Sequence, residues 1–310
     1  MASSRFLVVS AACLLVITCL VSGANAQVED QLARYTGDNA SGYLGPLADA
    51  IGTDLNGGLF HSARIPEMAK YFRLEFQLVS VVFGDDDRTF DATTEGDFAP
   101  KQTVEAPTIV GPGEAKLVEG DAGTQTYLPG GFDLSSFSLA VPQLRFGSYK
   151  GTEALIRYLA VDLGDVELGD ISLFGFGVRH SLSQYLSPEF PVALAGGFFW
   201  QSLNIGKNPA GGDLMSSSAL SIGVQASKRY GEGAAYLEPY GGLSVDRFSM
   251  DVAYESEVGD EPVMIDVDFG TDTTLRLTLG LAVGLPVLTG HAEYCIAGQN
   301  SFTLGLGFGN

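Results

Sequence analysis

The apolar residues of the chain change their spacing partway along it. Leu44, Leu47, Ala48, Ile51 and Leu55 recur at helical intervals and predict a short amphipathic helix, with Pro46 in the first turn, where its missing amide donor costs nothing. From Tyr71 the period becomes two. Phe72, Leu74, Phe76 and Leu78 share one face, and Arg73, Glu75 and Gln77 share the other. The same reading sets Ile156, Tyr158 and Ala160 against Arg157, and Phe174, Phe176 and Val178 against Gly175, Gly177 and Arg179. Leu220, Ile222, Val224 and Ala226 likewise oppose Ser221, Gly223, Gln225 and Ser227. The last third is the most regular. Leu275, Leu277, Leu279, Leu281, Val283 and Leu285 alternate with small or polar residues, Tyr294 and Ile296 alternate with His291, Glu293 and Cys295, and a final strand carries Phe302, Leu304, Leu306 and Phe308.

The polar face of these strands separates two architectures. A soluble sandwich wets its outer face with charged residues, whereas a closed, curved sheet holds small residues on its concave side and leaves no edge unpaired. Here that face is mostly Gly, Ser, Thr and Ala. The expectation is an all-β fold: an antiparallel transmembrane β-barrel of about twelve strands, within about ten to fourteen, with a short N-terminal helix. Tyr158, Tyr185, Trp200, Tyr230, Tyr236, Tyr240 and Tyr294 fall near strand ends, as an interfacial girdle would.

Two stretches interrupt the rhythm. Residues 84–135 are acidic and rich in Gly, Pro and Thr, and are read as a long loop that either enters the lumen or stands outside. Residues 251–272 carry acidic side chains without Lys or Arg, while Val263, Ile265, Val267 and Phe269 still alternate, which suggests a hairpin projecting beyond the membrane. At the start, Arg5 precedes the apolar run from Phe6 to about Val21 and the triplet Ala24-Asn25-Ala26. This reads as a secretory signal over residues 1–26. A helix or plug segment at 27–56 and the barrel at 57–310 would follow it. The Ala-x-Ala ending argues against an uncleaved anchor, and Val16-Ile17-Thr18 lacks the small residues that lipid attachment at Cys19 requires. Cleavage after Ala26 leaves Cys295 as the one cysteine, so no internal disulfide is expected.

Composition narrows the functional classes. A mean hydropathy of +0.17 without a second long apolar run, together with 40 Gly and 19 Phe, suits hydrophobicity distributed along strands. A net charge of -20 argues against a nucleic-acid partner, because no basic stripe is present to neutralise phosphates.

The charged residues on the inner faces are the candidate functional set: Arg73, Glu75, Glu153, Arg157, Arg179, Arg276 and Glu293. Glu75, Glu153 and Glu293 are the expected partners of the arginines. Such residues inside a barrel pair with one another and fill the lumen, or line a selectivity filter. Asp85, Asp86, Asp87, Asp266 and Asp268 are weak candidates for a hard cation, lacking the Asp-x-Asp-x-Asp-Gly pattern of a calcium loop. His61, His180 and His291 show no metal-ligand spacing, and no cofactor is expected. His180-Ser181 is the one pair to weigh for acyl hydrolysis, but adjacent strand residues face opposite ways. Cys295 reads as a small buried apolar residue.

Several phrases resemble a known family. Gly57-Gly58-Leu59-Phe60-His61-Ser62-Ala63, Ala106-Pro107-Thr108-Ile109-Val110-Gly111, Gly151-Thr152-Glu153-Ala154-Leu155-Ile156-Arg157-Tyr158 and the stretch from Gly175 to Tyr185 are similar to an uncharacterised family of Gram-negative outer-membrane barrel proteins. A weaker likeness, of architecture alone, is to outer-membrane fatty-acid and hydrocarbon transporters, whose N-terminal segment forms a hatch in a larger barrel. The resemblance implies the bacterial outer membrane and contact with its lipid; the family brings no established activity, so it carries over no catalytic residue. The expected role is non-enzymatic: a monomeric channel or transporter for a small solute, hydrophobic ones included, or a structural surface protein. The alternatives are an exported soluble or surface β-domain that binds a ligand or partner, and a lipid-modifying barrel enzyme.

Overall fold

The computed structural model describes residues 34–162, 170–208, 210–231, 233, 235–256, 263–270 and 273–309. The signal-peptide segment 1–26 and part of the 251–272 stretch lie outside these residues. The first described element is helix α1 (Gly37–Asn56). The wall strands are β1 (Phe72–Val82), β6 (Ser136–Tyr149), β7 (Thr152–Asp162), β8 (Asp170–Ser181), β9 (Ala193–Ile205), β10 (Met215–Ser227), β11 (Tyr236–Ser256), β13 (Thr274–Gly284), β14 (Leu288–Ile296) and β15 (Ser301–Gly309). Between β1 and β6 run β2 (Thr89–Thr93), β3 (Thr103–Pro107), β4 (Lys116–Glu119) and β5 (Gln125–Leu128), and between β11 and β13 runs β12 (Val263–Gly270).

Each wall strand pairs antiparallel with its sequential neighbours in the wall, and β1 closes the ring on β15, from Arg73 opposite Gly309 to Val81 opposite Ser301. Closure leaves no wall strand as an edge, the condition for placing a sheet in hydrocarbon. The closed wall has ten strands, the eleven of the main sheet less β12, rather than the twelve expected. β12 alternates too, but it pairs only with the far half of β11, Ser249–Ser256, and forms a hairpin beyond the ring.

The alternation also sets which side chains face out. Leu275, Leu279 and Leu306 are 66%, 54% and 53% exposed on the outer face, while Arg276, Ala282, Thr303 and Gly305 point inward and are buried. Glycine is required where lumen side chains lie flat against the wall. A Cβ on Gly280 would overlap the Tyr240 ring, which the expected aromatic girdle had placed outside but which is buried in the lumen.

The two ends of the barrel differ. Residues 83–135 and the β11–β12 hairpin extend from one end, whereas the other has the tight Lys150–Gly151 turn, the short connection at 285–287 and the eleven-residue connection 182–192. Segment 84–135 is not a structureless loop. Its two hairpins, β2–β3 and β4–β5, and the residues between them bring Ala92, Ala106, Ile109, Val110, Val118 and Leu128 into one apolar core with α1, so that the segment caps the long-loop end.

Helix α1 begins at Gly37, earlier than expected, and Pro46 lies well inside it rather than in its first turn. An internal proline forfeits one helical hydrogen bond. Burial on nearly every side offsets the loss, since Tyr43, Leu44, Ala48, Ile51 and Leu55 pack against Val81, Val141, Phe248, Met250 and Val252 of the wall. The helix starts at the long-loop end, where the Tyr254 hydroxyl donates to the Tyr35 carbonyl at 2.7 Å and Thr36 N donates to Glu95 at 3.1 Å. It ends deep in the lumen. Segment 57–71 continues to the short-turn end, where Gly151 N donates to the Glu67 carbonyl at 2.8 Å, and the chain then turns up into β1. The amino-terminal segment therefore threads the barrel from end to end.

Placing a charge on the outer band tests the lipid-facing assignment. Leu279→Arg, near the middle of β13, is expected to destabilise the barrel by about 2–4 kcal/mol in reversible denaturant unfolding in vesicles. The inward-facing neighbour Thr278→Ser is expected to change it by less than about 1 kcal/mol.

Candidate functional site

The charged residues expected in the lumen all fall on inward faces, most of them buried, and most meet the amino-terminal segment rather than one another. Helix α1 ends in the lumen with its last carbonyls lacking intrahelical partners, and the wall supplies the donors. Arg157 Nη1 and Nη2 donate to the carbonyls of Leu55 and Gly57 at 2.9 and 2.8 Å, and its Nε donates to Gln143 Oε1 at 3.1 Å. Gln201 also donates to the Leu55 carbonyl, and Arg276 Nη2 to that of Thr53 at 3.1 Å. Positive charge at this end of the helix opposes the negative pole of its dipole. Just beyond, Gly58 N donates to Glu293 Oε1 at 2.8 Å. Gly58 has φ +63 and sits against Thr303, Gln77 and Val79, so a side chain there would be both strained and crowded.

Lower in the lumen the plug continues to be held. The Ser62 carbonyl accepts from Arg179 Nη1, the Ser62 hydroxyl donates to Glu238, and Ala63 N donates to Ser227 Oγ at 2.9 Å. His61 stacks on His291 with ring centroids 4.5 Å apart, and its Nε2 lies 3.8 Å from Glu75. The Arg179 guanidinium covers the Phe60 ring at 4.5 Å.

The ion pairs differ from the pairing expected. Arg179 does bind Glu153, but Glu75 is met by Arg145 at 3.2 Å and Arg276 by Asp246 at 2.6 Å. Arg157 has no carboxylate within ion-pair distance among the described residues, and Glu293 accepts from Gly58 N and from the Tyr240 hydroxyl at 3.0 Å. Arg73 is half-buried at the short-turn mouth. Sequence reasoning missed Arg145, Asp246, Glu238, Gln143 and Gln201. The first four sit at the same inward parity as the residues identified, so extending the alternation through β6 and β11 would have found them.

The other candidates are not brought together. The Asp87 carboxylate accepts from Gly84 N at 2.7 Å and from Gln299 at 3.1 Å, while Asp266 and Asp268 stand exposed on β12. Among the described residues no group of three or more His, Cys, Asp or Glu is placed to hold a metal ion. His180 bonds Thr152 at 2.7 Å and Tyr185 at 2.9 Å on the outer side, whereas Ser181 is buried facing inward, so the two do not assemble. Cys295 is buried, with its sulfur 3.4 Å from Thr278 Oγ1.

These features define a class: a closed antiparallel barrel of the outer-membrane type whose lumen is filled by its own amino-terminal segment. The chain belongs to the family of unknown function DUF6588, which it matches over residues 3–310, and the resemblance seen in its motifs is thereby shown. No curated protein matches it. Among solved structures it is similar to the outer-membrane protease OmpT of Escherichia coli, at 7% identity over 80% of this chain and 100% of that one, TM-score 0.34. It is also similar to the translocator domain of the autotransporter NalP of Neisseria meningitidis, at 13% identity over 87% and 99%, TM-score 0.37. The toluene transporter TbuX of Ralstonia pickettii matches at 6% identity over 80% and 90%, TM-score 0.27.

The contacts of Arg157 make a direct prediction. Arg157→Met leaves the buried Gly57 carbonyl without a donor and the Leu55 carbonyl with Gln201 alone, and is expected to cost about 1–3 kcal/mol in detergent unfolding. Faster amide hydrogen exchange confined to residues 50–60 is the expected companion, with the wall strands unchanged.

Proposed function

We propose that this protein is a non-enzymatic outer-membrane barrel, shut at rest by its own amino-terminal segment, whose working surface is its long-loop face: a structural and surface-interaction protein. The supporting observation is the filled lumen. Helix α1 and residues 57–66 run the length of the barrel and are held by buried hydrogen bonds from at least four wall strands. Short turns on the periplasmic side and long connections outside are the rule for bacterial barrels, so the cap formed by residues 84–135 and the β11–β12 hairpin would face outward. Its acidity suits a face that contacts divalent cations or basic partners rather than nucleic acid. The start of α1 would lie on that face too.

A second reading is passage of a small solute after the plug shifts. What favours it is the nature of the attachment, which is polar and non-covalent, and a water-sized space of about 40 Å³ beside the plug, between Asn56, Leu59 and the glycines 196, 197 and 223. In this reading the resting protein is the closed state of a channel or transporter, hydrophobic solutes included.

Conductance separates the readings. In planar bilayers the wild-type barrel is expected to pass no steady current, and deletion of residues 37–66 to open a lasting pore in a barrel that still shifts in gel mobility on boiling. Steady wild-type current, or solute-triggered current, would replace the surface role with transport. For the surface role itself, an epitope inserted between Arg34 and Tyr35 is expected to bind antibody on intact cells. Binding only after the outer membrane is permeabilised would overturn the orientation.

A further inference from the structure

Beyond the end of α1 the lumen is largely polar, and most of its charged side chains have hydrogen-bond or ion-pair partners. Unmatched positive charge gathers at the short-turn mouth. There the plug leaves the barrel through a vestibule of about 590 Å³, whose lining carries five basic residues, Arg64, Lys70, Arg73, Arg145 and Arg229, against one carboxylate, Glu153. In a chain of net charge -20, this is a local inversion of sign.

The one carboxylate is already committed. Glu153 is shared by Arg179, Arg145 and the Tyr71 hydroxyl, and Arg145 is paired as well with Glu75 at 3.2 Å. Arg229 is paired with Glu238 at 2.7 Å and lies 3.6 Å over the Tyr236 ring. No described carboxylate lies within ion-pair distance of Arg64, Lys70 or Arg73. Two guanidinium donors at the mouth, Arg73 Nε and Arg145 Nε, are shielded from solvent and have no hydrogen-bond acceptor, and Arg145 as a whole is only 3% exposed. A buried donor without an acceptor is costly, and a concentration of unmatched positive charge in a concave site raises the local concentration of anions.

We propose that this vestibule is a binding site for a phosphate group, entered from the short-turn side, with Lys70 and Arg73 as its principal cations and Arg64 at its rim. Guanidinium groups offer forked donors that suit phosphate oxygens, and a lysine adds a compact charge beside them. The volume falls within the range of small-molecule pockets, so a phosphorylated small molecule fits as well as the free ion. A phospholipid headgroup from the adjoining leaflet carries the same chemistry, because Met68 and Phe72, which flank Lys70, stand exposed on the outside of the rim. The site is independent of any role of the long-loop face and of whether the plug moves.

The test uses the full-length protein after exhaustive exchange into non-ionic detergent at low ionic strength, titrated with inorganic phosphate by calorimetry and by phosphorus NMR line broadening. Wild type is expected to bind saturably, and Lys70→Gln combined with Arg73→Gln to weaken binding about tenfold or more while the barrel keeps its heat-dependent gel mobility. Arg247→Gln, at the far end, is expected to leave binding unchanged. Repeating the titration in nanodiscs distinguishes the source. If phosphatidylglycerol discs suppress phosphate binding that zwitterionic discs permit, the headgroup is an occupant; equal binding in both assigns the site to a soluble phosphate. Absence of saturable binding by wild type, an undiminished affinity in the double variant, or an equal loss in Arg247→Gln would overturn the proposal.

Discussion

A helix that ends inside a barrel leaves its last carbonyls where bulk water does not reach, and the organisation of this lumen follows from answering them. Arg157, Gln201 and Arg276 reach in from three different wall strands to the carbonyls of Thr53, Leu55 and Gly57. Those side chains must then be held in place themselves, Arg157 by Gln143 and Arg276 by Asp246. Buried charges of this kind contribute modestly to net stability when complete, yet removing one partner is expensive because the other is stranded. The network therefore fixes where the plug sits more than it adds to how stably the wall folds.

Wall and plug divide the work between two kinds of force. The wall closes on backbone pairing and turns its Leu and Phe residues outward. The upper half of α1 is packed by aromatic and aliphatic residues under the cap of residues 84–135, with the Tyr35 ring tilted against that of Tyr43, centroids 5.0 Å apart. Beyond Asn56 hydrogen bonds are interleaved with small apolar contacts, Leu59 and Phe60 against Leu155 and Phe199, and Ala63 and Ile65 against Ala195. The chain is thus anchored apolarly at the long-loop end and by hydrogen bonds with these small contacts toward the short-turn end, where unmatched positive charge gathers.

The wall was legible in the sequence because a strand has one strict period, so Leu275 to Leu285 or Phe302 to Phe308 announce their outer face without any partner. The inward placement of Arg157, Arg179 and Arg276 followed from the same parity. What parity does not carry is which groups meet across the lumen. Glu153 and Arg179 face each other on paired strands. Asp246 and Arg276 also lie on paired strands, but two residues out of register, and Arg157 answers carbonyls about a hundred residues away. The count of ten rather than twelve was not legible, since alternation marks neither where a strand ends nor whether it belongs to the ring. Segment 84–135 hid its short hairpins because four- and five-residue strands fall below the length at which alternation is distinct from chance.

The central claim is that the amino-terminal segment occupies the lumen of the native barrel. The most direct measurement replaces Ala63 of the plug and Ser227 of the wall with cysteine in a Cys295→Ser background, and oxidises the protein in intact outer membranes. Ala63 N lies 2.9 Å from Ser227 Oγ, so the account predicts rapid intramolecular cross-linking, seen as a change in non-reducing gel mobility that dithiothreitol reverses and that neither single cysteine shows. Two thiols that stay free in a barrel of native gel mobility would contradict it.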